Sequence, residues 1–249
     1  MIFRKIFSPA WLLATVFVLL GTAVLIRLGI WQLDRLEQRR AFNTQVVTMR
    51  ALPALGLNSE QPVDLALQEW RAVQITGKYD FENQVALRNQ YNGSQYGYHL
   101  ITPLLFADGK AVLVDRGWIP ADGNSTSADW RKFDQPGMVT LSGQIRLGQT
   151  KPAFGGVADP ELNPTQTRMD LWNNLDVARI AGQIPYQVLP IYIQPNADMN
   201  DTVPPIPFQP EVDLTEGPHF GYALQWFAFA AILFFGYPFV LRKQESQAK

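Results

Sequence analysis

The 249-residue chain contains no cysteine. Disulfides, thiolate metal sites, thiol redox chemistry and cysteine nucleophiles are therefore excluded, and any folded part must rest on its packed core. Histidine is nearly as scarce, with only His99 and His219, too few for a protein-only zinc site unless several carboxylates join them. Basic excess is lacking too. The formal net charge is -1, which leaves no electrostatic footprint for nucleic acid. Gly-x-Ser-x-Gly, a P-loop, His-Glu-x-x-His and Gly-x-Gly-x-x-Gly are absent, and with them the common signs of hydrolases, zinc proteases and nucleotide-binding folds. Acid pairs such as Asp170 and Asp176 remain as a general acid and base, although capping and turn formation are the commoner uses of aspartate. These absences point away from an enzyme.

Charge is also missing from two long stretches, residues 10–26 and 222–241. About twenty apolar residues at helical rise cross the hydrocarbon core of a bilayer. Arg4 and Lys5 precede the first stretch. A cleaved signal peptide is its competing reading, with Gly21-Thr22-Ala23 as a weak cleavage site. The run outlasts a signal core and continues through Val24, Leu25 and Ile26, so an uncleaved anchor is expected. After the second stretch come Arg242, Lys243 and Lys249, whereas Asp201, Glu211, Asp213 and Glu216 precede it without any Lys or Arg. Positive charge stays inside, which predicts cytoplasmic termini and a central domain on the other side. Arg27, Arg35, Arg39 and Arg40 argue the other way, in a long loop that obeys the rule weakly. With no Arg- and Ser-rich presequence, a bacterial cell inner membrane is expected rather than a mitochondrial precursor.

The expected division is a cytoplasmic tail 1–9, a transmembrane helix 10–31, an extracytoplasmic domain 32–218, a transmembrane helix 219–241 and a cytoplasmic tail 242–249. Residues 32–45 are charged and extend the first helix. From Val73 the pattern becomes β: 73–79 alternates, 85–88 follows a polar turn, and 98–106 with 111–119 flank Asp108-Gly109 as a hairpin. Further strands are expected at 139–147 and 188–194. Pro103 lacks an amide proton, so its strand should be an edge or carry a bulge there. Asp176 should cap a short helix ending at Gly182. Residues 121–137 and 148–166 read as surface loops, and 202–210, with four prolines, as an extended arm returning to the membrane. The predicted class is mainly β with two transmembrane helices: a small antiparallel β-barrel or sandwich between an N-terminal and a C-terminal membrane helix.

His219 stands at the mouth of the second span. If that helix starts near Pro218, His219, Tyr222, Ala223 and Trp226 share one face at spacings of three, four and seven. An imidazole, two large aromatics and a small alanine suit a porphyrin held edge-on. The same residues also suit an aromatic belt at headgroup level, and both readings stand on the residues alone. Gln225, one turn into the span, needs a neighbouring helix or water to satisfy its amide, and helix contact is expected. Arg27 either snorkels to lipid phosphate or pairs with a ligand carboxylate. His99, between Tyr98 and Leu100, reads as a core or sheet-face histidine with one hydrogen bond. Arg116, Gly117, Trp118 and Pro120 suit a tight β-corner or a binding edge.

Five segments together carry a resemblance. Leu28-Gly29-Ile30-Trp31-Gln32-Leu33-Asp34-Arg35, Gly97 to Leu104, Val112 to Pro120, Arg168-Met169-Asp170-Leu171-Trp172 with Asp176, and His219 to Phe227 resemble, in order, the signatures of the Surfeit-locus family of cytochrome c oxidase assembly proteins. Asp115 stands where Asn is common and Ile119 where Val is common. The resemblance implies an assembly factor acting when haem a enters the oxidase catalytic subunit, with that subunit as partner and the haem a synthesis enzyme as a further one. It also implies that His219 binds haem a as iron ligand, with Tyr222 and Trp226 packing the porphyrin and Arg27 neutralising a propionate. The alternative it leaves is a haem-free scaffold that steadies the apo-subunit through its helices, Gln225 included, and the Arg116 to Pro120 edge.

Overall fold

A computed structural model describes residues 8–58, 64–152, 154–163, 167–198 and 200–247, with side chains to Gln244. Arg4, Lys5 and Lys249, and residues 153 and 164–166 of the second expected loop, lie outside these. In chain order the elements are α1 (Pro9–Ala51), β1 (Leu55–Gly56), β2 (Ala72–Tyr79), β3 (Val85–Asn92), β4 (Gln95–Leu105), β5 (Ala111–Pro120), β6 (Met138–Arg146), β7 (Leu171–Trp172), α2 (Val177–Ala181), β8 (Val188–Pro195) and α3 (His219–Gln247). They form two compact units, Met1–Gln45 with Asp213–Lys249, and Val46–Val212. Residues 32–45 and 213–218 group with the helices in this division.

In the first unit α1 and α3 pair antiparallel. Both are long and apolar enough to cross a membrane. Small residues set the closeness: a Cβ on Gly29 would lie 2.6 Å from the Phe227 ring, and one on Gly21 would lie 3.2 Å from Leu233. Further along, Thr15 Oγ1 and the Tyr237 hydroxyl are hydrogen-bonded at 2.7 Å. Past the apolar run α1 turns charged and clasps the segment leading into α3. Arg39 donates to the carbonyls of Thr215 and Asp213, and Asn43 to that of Leu214. Arg40 grips both Glu216 oxygens at 2.7 and 2.8 Å. That hydrogen bond, and then the charge behind it, hold the Glu216 carboxyl below its ordinary value.

In the second unit β2, β6, β8, β5 and β4 close into a five-stranded barrel, with β1, β3 and β7 as additions. Alternation is clean in β2, where Val73, Ile75 and Tyr79 turn inward beside Leu104, Val112, Val114, Ile145, Ile191 and Ile193. β5 is buried on both faces, since Leu113 packs under α2 and Trp172 in a second cluster. That explains its unbroken apolar run. The ring is not wholly antiparallel, because β8 pairs parallel to β5. The intervening chain supplies the crossover a parallel pair needs.

The Asp108-Gly109 hairpin forms as expected, with Gly109 at φ +83° and the Asp108 carboxylate accepting from the Lys110 amide. A second hairpin continues β3 to Asn92 and starts β4 at Gln95, beyond the expected ends. Its strands are polar and broken by a register shift at Asn89, which hides the alternation. Asp176 caps α2 by accepting from the Arg179 amide, and Gly182 follows it. Pro103 departs from expectation. β4 is paired on both sides, and Pro103 falls where its neighbour changes from β3 to β2, so the missing amide proton breaks no ladder. Its carbonyl accepts from the Asp80 amide at 2.9 Å. Nor is 121–137 only a surface loop: Trp130 is fully buried beside Leu100 and Ile119, with its indole N–H on the Asn124 carbonyl.

The arm at 202–210 lies on the barrel. Ile206 and Trp118 exchange both backbone hydrogen bonds, at 2.8 and 2.9 Å, and Phe208 meets the His99 ring edge-on. Gly117 sits at φ +111°, and a Cβ there would come within 2.1 Å of the Ile206 carbonyl. Gly117→Ala should therefore cost about 3 kcal/mol of stability, read as an earlier urea midpoint of the full-length protein by tryptophan fluorescence. Gly93→Ala, also at positive φ but with nothing within 4 Å, should cost only about 1 kcal/mol. Equal midpoints for the two variants would sink the packing of the arm on β5. The clasp in the helical unit should depend on pH. The Glu216 carboxyl has a depressed value when folded, so its contribution is present above the ordinary carboxylate value and is lost as pH falls through the folded value. Amide exchange across 213–217 should quicken on acidification in the wild type and be fast at every pH in Glu216→Gln.

Candidate functional site

α3 begins with a turn made for a helix entry. Gly217 takes φ +68°, Pro218 follows, and the Tyr222 amide closes back on the Pro218 carbonyl at 3.1 Å. His219 is the first residue of the helix and is half-buried. Its Nδ1 lies 2.9 Å from the Oε1 of Gln32 on α1. A carbonyl oxygen only accepts, so Nδ1 donates in this bond, and in the neutral tautomer that this fixes the lone pair is on Nε2. The Cδ2–Nε2 edge of the ring lies beside Gly217, where a Cβ would sit 3.6 Å from Cδ2 and 3.7 Å from Nε2. The missing side chain keeps that lone pair approachable.

The imidazole opens on a cleft of about 370 Å³, whose walls include Arg35, Arg39, Phe42, Glu216 and Gly217. Gln32, Arg35 and Arg39 follow at helical spacings of three and seven, so they share one face of α1. Ala223, one turn into α3, is buried at 1% exposure, as a small residue at a helix contact should be. Tyr222 is exposed, and Trp226 is half-buried with its ring edge-on to Phe229 at 6.2 Å. Gln225 is exposed, and no hydrogen bond to α1 holds it among the described residues. Arg27 is not drawn into the cleft. It lies about 140° around α1 from Gln32, exposed, with Asp34 at 3.9 Å.

The second set of expected residues is inside the barrel unit. Arg116 is the extra residue where the β4–β5 register slips between Leu100 and Ile101. Its guanidinium donates to Gln84 Oε1 at 3.0 Å and to the Phe133 carbonyl, and lies 5.1 and 5.2 Å from the Tyr79 and Phe81 ring centres. Burial pulls the Arg116 value down and pushes the Tyr79 phenol up to about 12. Trp118 is 4% exposed, and both its backbone groups are taken by Ile206. Gly117 is covered by the same strand, and Pro120 is half-buried with its carbonyl on Asn124 Nδ2. His99 is a core histidine with one hydrogen bond: its Nδ1 meets Asp115 Oδ2 at 2.9 Å, while Asp115 Oδ1 accepts from the Gly117 amide. Asp170 bonds Arg168 at 2.7 Å and Asp176 caps α2, so each has a structural partner. No group of three or more His, Cys, Asp or Glu side chains converges on a metal position among the described residues.

Gln32, Arg35 and Gly217 were not singled out from the sequence. Gln32 and Arg35 do stand inside the Leu28 to Arg35 segment, at the polar end of the first span, which was the available signal. What joins them to His219 is the antiparallel pairing of two helices 187 residues apart, which no local pattern encodes.

Comparison with known proteins agrees with this architecture. A SURF1-like protein of Monosiga brevicollis is 26% identical over 230 residues, covering 87% of this chain and 83% of that protein. A SURF1-like protein of Rickettsia bellii is 25% identical, covering 87% and 86%, and Surfeit locus protein 1 of Takifugu rubripes is 25% identical, covering 86% and 91%. The profile described as SURF1 family matches residues 19–231, from within α1 through the barrel and into α3, and on that match the chain belongs to the SURF1 family.

Proposed function

We propose that the protein is a membrane-bound assembly factor of haem-copper cytochrome c oxidase that holds haem a at His219 and passes it towards the catalytic subunit. α1 and α3 cross a bacterial inner membrane, both termini are cytoplasmic, and the barrel works on the outer side. The observation that carries this reading is the hydrogen bond from His219 Nδ1 to Gln32. Second-sphere acceptors of this kind fix the tautomer and orientation of a ligating histidine and raise its basicity.

The residues fit such a ligand in three respects. The ring lines a cleft, and its Nε2 meets no hydrogen-bond partner among the described residues. Gly217 leaves room beside it. Tyr222 and Trp226, exposed and half-buried on the same helix, offer ring faces to a flat macrocycle without leaving the headgroup level where such residues are at ease. The bound group brings its own iron and four equatorial nitrogens, so one imidazole is sufficient protein ligation. The apolar helix pair excludes water from one side of the site, and the clasp on α1 holds the entry of α3 in place on the other.

The test is to purify the full-length protein from cells that make haem a and record its optical spectrum. His219→Ala should lose at least tenfold of its haem, and Gln32→Leu should weaken binding about tenfold while the protein still inserts. Oxidase assembled beside His219→Ala should be haem-poor. Wild-type protein without haem, or a His219→Ala variant with as much, sinks the ligation. Normal oxidase in that strain would favour the haem-free scaffold.

A further inference from the structure

We infer that Arg35, and not Arg27, is the residue that takes a carboxylate of the ligand bound at His219. The inference rests on the reading of His219 as an iron ligand and names the subsite beside it.

Charge pairing in the helical unit singles Arg35 out. Arg40 grips both oxygens of Glu216, and Arg39 is spent on the carbonyls of Asp213 and Thr215 with the Asp213 carboxylate at 3.5 Å. Arg27 has Asp34 nearby. Arg35 bonds only the neutral amide oxygen of Gln38, at 2.8 Å, and no carboxylate lies within ion-pair reach of it among the described residues. The two carboxylates that line the cleft, Asp213 and Glu216, are thus engaged by Arg39 and Arg40, and Arg35 is left as the lining guanidinium without a carboxylate partner among the described residues.

Position agrees with charge. Arg35 lines the same cleft as His219. It stands three residues beyond Gln32 on the same face of α1, about 4.5 Å further along the axis and away from the apolar run. A macrocycle ligated at His219 can then lie with its apolar edge towards the lipid and its acidic arms towards water. Arg27 is five residues to the other side of Gln32, deeper in the apolar run and turned away. A carboxylate drawn there would have to enter hydrocarbon, which is costly for a charge. A guanidinium fork with unused donors suits the planar carboxylate.

The test uses the full-length protein in detergent with two probes, haemin and haemin dimethyl ester, which differ only in whether the carboxylates are free. Affinity is read from the Soret shift. Wild type should bind the free acid roughly tenfold more tightly than the ester, as one charge-assisted contact allows. In Arg35→Gln the ratio should fall to about twofold with the ligated spectrum retained, Arg35→Lys should recover part of it, and Arg27→Gln should leave it as in wild type. Arg35 is exposed, so its replacement leaves the fold intact. An unchanged ratio in Arg35→Gln, a collapsed ratio in Arg27→Gln, or no preference in wild type overturns the assignment. Failure of the His219 reading shows separately, as a ligated spectrum that survives His219→Ala whatever the ester ratio does.

Discussion

Everything at the candidate site depends on where α3 begins, and that is decided by the clasp between α1 and residues 213–216. Two guanidiniums and an amide on successive turns of α1 hold three carbonyls and a carboxylate of the incoming chain. Each bond is at the surface and small by itself. Together they remove the freedom of a segment that has no apolar anchor, so that Gly217 and Pro218 start the helix opposite Gln32. Shifted by one residue, the imidazole would turn about 100° around the helix and miss its acceptor.

The helix pair below the clasp is held by a different physics. Closeness between its two apolar faces comes from small residues and a few polar contacts. Gly29 under Phe227, Gly21 under Leu233 and Thr15 with Tyr237 supply these in order down the pair. The barrel, by contrast, is a packed hydrophobic core, and the charged groups it buries beside β5 are answered. Asp115 serves His99 and the Gly117 amide, and Arg116 lies among an amide, a carbonyl and two aromatic rings. The arm that carries Ile206 and Phe208 seals this corner. An edge that looks open in the sequence is in fact occupied by the chain's own later segment.

Legibility followed the range of the interactions. Elements set by neighbours in sequence were readable: the apolar spans, the Asp108-Gly109 turn, the alternation of β2, the Asp176 cap and the helical face of His219, Tyr222, Ala223 and Trp226. Elements set by distant partners were not. Trp130 made a core residue out of a run that reads as loop, Pro103 was accommodated by a change of neighbour instead of an edge, and β8 joined the ring in parallel. In the site, His219 was legible as a residue that needed explaining, whereas its contact with Gln32 was not.

By itself, then, the sequence determined that the chain has two apolar helices around a β-rich middle, that thiol chemistry is excluded, and that one histidine stands at a helix mouth. These follow from composition and short periodicities, which the backbone imposes locally. Only the tertiary structure decided that the barrel closes, that the arm covers Trp118, and that Gln32 and Arg35 rather than Arg27 stand beside His219. Each of those is a meeting of segments far apart in the chain, and such meetings are chosen by packing and hydrogen-bond satisfaction over the whole fold, not by any stretch of it.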